Sequence, residues 1–396
     1  MQRNDSWVRA WSFPALPPVA AFGPHGLHRH AADTTLRQII RISGRGDRLR
    51  VRLSNEYGTA PLTIGAAHLG LAADGGTVRP GSTRALTFAG APSVVVPAGA
   101  PFLSDSVDLP MELLSTLCIS IYLPLSVETA ACPSMLVEAG WAIPGNAVAN
   151  PDLPADATPL PVRALVSAVE VLAGGPAKTI VTIGDSLTDG SGSTPNAYRR
   201  WPDVLAERLA RHGGGATHVC NQGIGGNRML NDGFGASALA RFDRDVLSTP
   251  GLGYVIIAEG GNDILVSFAP RDAEGPHAEF INAFPGVPVT VDDIIAGYRQ
   301  LIARARGRGI KIYAATITPG EGSEIFTPEV EPARQALNAW LRTSNAFDAV
   351  LDFDAVWRDP AHPSRIKDGF CAHDQLHGSD AGYRALAESI DLSLFS

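Results

Sequence analysis

Between about residues 35 and 125, apolar and polar side chains alternate. "TLRQIIRIS" (Thr35–Ser43) and "RLRVRLSN" (Arg48–Asn55) alternate polar and apolar side chains. That period of two marks a strand with one face buried. "GRGD" (Gly44–Asp47) between them predicts a hairpin turn. Leu62–Ala72 and Leu117–Pro124 predict further strands. Glycine and proline interrupt this half about every 8–12 residues, the rhythm of a β-sandwich. No long helical period occurs there. The stretch 145–165 is rich in proline, alanine and asparagine and reads as a surface crossing. The expected organisation is a β-rich domain over 1–150, a linker over 151–177 and a second domain over 178–396.

In that second domain the period changes. Lys178–Ile183 is a short apolar run, followed by a helical stretch with Trp201, Val204, Leu205 and Leu209 on one face. Ala216–Asn221 is a second strand, Tyr254–Asp263 contains a third, Ile310–Thr316 is a fourth and Ala349–Phe353 a fifth. Helical patterns separate them. "VDDIIAGYRQLIARARGRG" has an acidic start and a basic end, as a helix dipole favours, and Ser379 is placed to cap the last helix. Strand and helix in regular alternation build a parallel five-stranded sheet covered on both faces, with flavodoxin-like winding in three αβα layers. Chemistry in such sheets collects at the carboxyl ends of the strands.

Composition narrows the class. A chain of 396 residues, 45% apolar, is comfortable for two packed domains. A net charge of −8 argues against nucleic acid as a partner. Four cysteines (Cys118, Cys132, Cys220 and Cys371), with no C-x-x-C pair, make no disulfide framework, although they leave room for one bridge. No apolar run is long enough to span a membrane. The start "MQRNDSWVRAWS" has no leader pattern. The default location is therefore cytoplasmic, while a leader already removed would make the protein secreted or periplasmic. Nothing in the sequence fixes an oligomeric state.

The ends of the strands carry the candidate chemistry. Gly-Asp-Ser-Leu, with Ser186, follows the first. "NQGIGGNR", with Gly223, Gly225 and Gly226, follows the second. "GGND", with Asn262, follows the third. "CAHDQLHGSD", with Asp374 and His377, follows the fifth. Singly, each has a plain structural reading as a turn, a cap or a surface side chain. The glycines do not make a dinucleotide fingerprint, because Arg228 stands where the last glycine would be, and no Gly-Lys-Ser/Thr follows. Jointly, the set supplies what acyl transfer needs: a hydroxyl (Ser186), a base (His377), a carboxylate to orient it (Asp374, with Asp380 as the other nearby acid) and oxyanion donors. Those donors are the backbone amides of Ser186 and Gly226 and the side chain of Asn262. No metal or cofactor is required.

The four blocks, in this order from Lys178 to Phe395, resemble the SGNH hydrolases, also called the GDSL esterase/lipase family. The resemblance implies Ser186 as nucleophile, Gly226 and Asn262 as oxyanion residues, and Asp374 and His377 as the Asp-x-x-His pair. Gly225 stands where many relatives have serine, and Gly-Ser-Asp follows His377 where proline is frequent. The β-rich half resembles the N-terminal region of a bacterial subgroup of lipase-like esterases. The implied function is serine esterase chemistry on small-molecule or carbohydrate O-acyl esters, short-chain or acetyl. The alternatives are a lipase or lysophospholipase, and a glycan-binding protein without catalysis.

Other residues have a local reading. Asp185 and Asp189 flank the serine as turn and helix-start residues, and Asp263 orients the loop that presents Asn262. Arg228 is a candidate contact for an anionic substrate group. Ile264–Thr290 is a long insertion and a candidate functional loop, in which Phe268, Phe280 and Phe284 either wall an acyl pocket or pack the loop down. His25, His28 and His30 lack the acidic or cysteine partners of a metal motif and read as a surface loop.

Overall fold

The computed structural model describes residues 6–18, 27–130, 140–160, 162–212, 216–269 and 276–396. His25 and Cys132 lie outside the described residues. Packing divides the chain into two units: Met1–Thr179 with Leu209–Cys220, and Ile180–Arg208 with Asn221–Ser396.

The first unit is built on two antiparallel sheets. One runs Ser6–Ser12, Val166–Ala173, Gly46–Ser54, Val107–Met111. The other runs Thr158–Pro159, Gly140–Pro144, Thr34–Arg41, Thr116–Leu123, Ala66–Leu71, Arg84–Ala85. Their inward residues, among them Val8, Leu36, Ile40, Leu49, Val51, Ile119 and Val169, form one continuous core. That is a sandwich, as the period-two pattern implies.

Two expectations change here. Thr34–Arg41 and Gly46–Ser54 do not form a hairpin, because they belong to different sheets. The chain changes sheets between adjacent residues: the Ile42 amide bonds Ser115 in one, and the Ser43 amide bonds Ala10 in the other. Alternation and a glycine turn look the same for a hairpin and for a crossing between facing sheets, since both keep apolar residues inward. The second change concerns 151–177. Val166–Ala173, inside that stretch, is a buried strand paired on both sides.

The remaining sheet has five parallel strands in the order Thr217–Gly223, Lys178–Gly184, Leu252–Ala258, Lys311–Ala315, Ala349–Leu351. In chain order this is 2-1-3-4-5, the flavodoxin-like winding, and its switch point lies between the first and third strands. The long helix α6 (Val291–Arg306) starts on a capping box in which Thr290 and Asp293 bond reciprocally. It buries Ile294, Tyr298, Leu301 and Ile302. The expected long loop after the third strand is largely helical, with α4 at Gly261–Phe268 and α5 at Pro276–Ala283. Among the described residues no helix is long and apolar enough to cross a membrane, and no disulfide joins Cys118, Cys220 or Cys371.

Candidate active site

The first strand ends at Gly184, and the chain turns at once into α1, the single turn Ser186–Asp189. Asp185 caps that turn by accepting the Leu187 amide at 2.9 Å. Gly190, at φ 102°, closes it by donating its amide to the Ser186 carbonyl. A hydroxyl is thus fixed at the carboxyl edge of the sheet, at the switch point.

Asp374 and His377 lie in the loop before α9 (Asp380–Ser389). The spacing of three explains their geometry. One Asp374 oxygen accepts the Leu376 and His377 amides, both at 3.0 Å, which folds the loop back on itself. The other oxygen meets His377 Nδ1 at 2.5 Å. His377 Nε2 then lies 2.8 Å from Ser186 Oγ. Burial pushes the Asp374 carboxyl up, but the hydrogen bond and charge of His377, with the two amides, outweigh it and hold the group below the usual carboxylate range. An ionised Asp374 can only accept. Nδ1 therefore carries the proton, and Nε2 is left to accept from the Ser186 hydroxyl. Asp380 does not compete, because its carboxylate takes the amide and hydroxyl of Thr194, each at 2.8 Å.

The three donor-bearing turns are tied together. The Ile224 amide donates to the Gly184 carbonyl at 3.0 Å, bringing the loop after the second strand to the Ser186 turn. A side chain at Gly223 would place its Cβ 2.2 Å from the Asp189 nitrogen, so this close approach requires glycine. Gly226 has φ +68°, a conformation that aims its amide as other residues rarely do. Asn262 sits in the first turn of α4. Its side-chain amide donates to the Asn227 carbonyl at 3.1 Å and to Asp185 at 3.3 Å. Asp263 reaches back to the same loop, accepting the Met229 and Leu230 amides. Behind these turns lies a buried acidic group of Asp185, Asp263 and Glu259, with Arg241 paired to Glu259. Burial raises all three carboxyls, Asp185 to about 6.

Arg228 requires a correction. It is 1% exposed, and its guanidinium donates to the carbonyls of Phe284 and Asp232. It is a strut that ties loop to loop and presents no charge to a ligand. Phe280 stacks with Phe234 and Phe284 meets the same ring edge to face, with centroids 5.4 Å apart in each pair, and the Phe280 ring lies against Gly226. Phe268 is 40% exposed at the end of α4. None of the three lines the cavity beside Ser186. That cavity is walled by Leu187, Trp201, Leu265, Ile317, Phe326, Leu376 and others, with Ser186 and Asn262 among them. Of these wall residues the helical period marks only Trp201, and it marks it as core.

Outside this site, the His28 and His30 rings lie 4.7 Å apart. His30 bonds Thr129, and burial together with the His28 charge lowers it to about 3. Among the described residues no cluster of His, Cys, Asp or Glu has the makings of a metal site.

Residues 182–385 match the model of the GDSL-like Lipase/Acylhydrolase family. No curated protein matches the chain. Similar solved structures include a GDSL-like lipase from Bacteroides thetaiotaomicron VPI-5482, at 16% identity over 55% of this chain and 88% of that one, TM-score 0.39. An acetyl xylan esterase from Geobacillus stearothermophilus is 21% identical over 54% of this chain and 93% of its own, TM-score 0.38. An alpha/beta hydrolase enzyme from the metagenome of Lake Arreo, Spain, is 18% identical over 54% and 92%, TM-score 0.39.

Proposed function

The chain belongs to the GDSL-like lipase/acylhydrolase family, and from that premise we propose that it hydrolyses carboxylic esters of small molecules through an acyl-enzyme on Ser186. The observation that carries this reading is the unbroken line from Asp374 through His377 to Ser186, with contacts of 2.5 and 2.8 Å.

Each step uses a group already in position. His377 takes the Ser186 proton at Nε2 as Oγ attacks the ester carbonyl, and Asp374 holds the imidazolium that forms. The carbonyl oxygen becomes negative as the tetrahedral adduct forms. The amides of Ser186 and Gly226 donate to it, and the Asn262 side chain joins them by turning onto it the N–H that otherwise meets Asp185 at 3.3 Å. His377 returns its proton to the departing alcohol. Water then repeats the sequence on the acyl-enzyme and releases the acid.

Hydrolysis of p-nitrophenyl butanoate tests the roles. Ser186→Ala is expected to lose at least roughly 10,000-fold in kcat. Asn262→Ala is expected to lose about 100- to 1,000-fold, with KM little changed. Wild-type turnover by Ser186→Ala overturns the assignment.

A further inference from the structure

The cavity beside the nucleophile has a shape and lining that go beyond general ester hydrolysis. It holds about 60 Å3 of free space. Its catalytic end is lined by Ser186 and Asn262, with Leu187 next to the nucleophile and Leu376 next to His377. Leu187 and Leu376 are half-buried. Trp201, Phe353 and Leu386, from α2 (Trp201–His212), α8 (Phe353–Trp357) and α9, are at most 3% exposed. The space therefore deepens from the triad toward a closed, apolar end, where the Trp201 and Phe353 rings meet edge to face at 5.5 Å.

Two polar side chains along the wall, Thr316 and Arg334, are already engaged. The Thr316 hydroxyl donates to Asp352 and accepts the Asp354 amide. The Arg334 guanidinium is held by Glu331, Asp354 and the Ile317 carbonyl. The cavity offers an alkyl chain contact without presenting it with an uncompensated charge.

We propose that this cavity is the acyl pocket and that the protein selects esters of aliphatic acids of about five to seven carbons. The inference rests on the ester-hydrolase reading and narrows it. A site for one water needs about 10–15 Å3 of such space, so this cavity takes roughly four to six heavy atoms beyond the carbonyl. An acetyl group leaves it unfilled. A chain longer than about seven carbons meets the buried floor, where packing is tight and overfilling is costly. Within that range each added methylene leaves water for an apolar wall, worth about fourfold in kcat/KM, the equivalent of about 0.8 kcal/mol.

The test is kcat/KM for p-nitrophenyl esters from acetyl to dodecanoyl, each below its micellar concentration, for the wild type and two variants. The wild type is expected to gain about fourfold per methylene up to about hexanoyl and to fall beyond heptanoyl. Val330 also lines the cavity, and Val330→Phe, which puts a ring into that wall, is expected to lower the hexanoyl-to-acetyl ratio at least tenfold. Phe326→Ala, which enlarges the half-buried side, is expected to move the optimum to longer chains, and it reports independently if Val330→Phe fails to fold. A wild type that hydrolyses acetyl best overturns the proposal, and so do folded variants with unchanged ratios. Absence of turnover at every chain length overturns the ester-hydrolase reading itself, and the pocket assignment with it.

Discussion

The side-chain amide of Asn262 donates to the Asp185 carboxylate at 3.3 Å. One residue thus holds two parts of the site: Asp185 caps the Ser186 turn through the Leu187 amide and orients Asn262 with its other oxygen. Asp185→Asn separates the two jobs. The amide oxygen of asparagine can still cap the turn, but its NH2 then faces the NH2 of Asn262, donor against donor. The expected result is a kcat about 10- to 100-fold lower at similar KM, within the loss set by removing an oxyanion donor. Steady-state kinetics decide, and an unchanged kcat removes Asp185 from the positioning role.

The same variant has a pH signature. Burial raises the Asp185 carboxyl from 3.8 to about 6 in the folded protein. Between those values the folded state binds the proton more tightly than the unfolded one, so this group's contribution to stability falls as pH rises through the window. Asp374 has the opposite sign: its lowered carboxyl adds stability that is lost as pH falls through its folded value. Asp185→Asn removes only the first effect. Urea unfolding at pH 4 and pH 7 is expected to show the wild type gaining on the variant at the lower pH, by up to about 3 kcal/mol. Parallel curves contradict this.

Gly226 combines a left-handed backbone with a close neighbour. Its φ is +68°, and an added Cβ would sit 2.6 Å from the Phe280 ring. Gly226→Ala is expected to cost about 1–2 kcal/mol from the backbone alone and to cut kcat more than tenfold. Combining it with Phe280→Ala relieves the steric part and leaves the backbone part, so activity recovers only in part. Full recovery in the double variant shows that the backbone geometry is not needed.

Tyr383 links the turn that carries Ser186 to the loop that carries His377. Its buried hydroxyl donates to the Ser191 carbonyl at 2.6 Å and accepts the Gly378 amide at 3.3 Å. Ser191 in turn donates its amide to the Ser186 carbonyl, and Gly378 follows His377. Tyr383→Phe keeps the ring and leaves the Gly378 amide buried without this acceptor, a cost of about 1–3 kcal/mol. As a positioning residue, Tyr383 is expected to affect kcat, about tenfold, and not KM. A variant with lower stability but wild-type kcat shows that the hydroxyl serves stability alone.

That Ser186, Asp374 and His377 come together was legible because the determinants are local or topological. Asp-x-x-His closes on itself through two amides, and alternating strands and helices bring strand ends to one edge. Arg228 was misread because a cation beside a glycine loop looks the same in sequence whether it faces a ligand or two carbonyls. The sheet change at Ile42 and Ser43 escaped for a related reason: inward alternation continues across it. Leu187, Trp201 and Leu376 carried no functional signal, since a pocket wall and a core have the same composition. Asp185 has the local pattern of a turn residue, and its bond to Asn262 spans 77 positions, beyond any local pattern.

The most direct test of the central claim is where an active-site phosphonate attaches. The protein is treated with a fluorophosphonate, and the adduct is mapped by peptide mass spectrometry while residual ester hydrolysis is followed. One phosphonate per chain is expected, on the peptide containing Ser186, with activity lost in proportion to labelling and no adduct in Ser186→Ala. An adduct elsewhere that abolishes activity while Ser186 stays unmodified contradicts the assignment of Ser186 as the nucleophile.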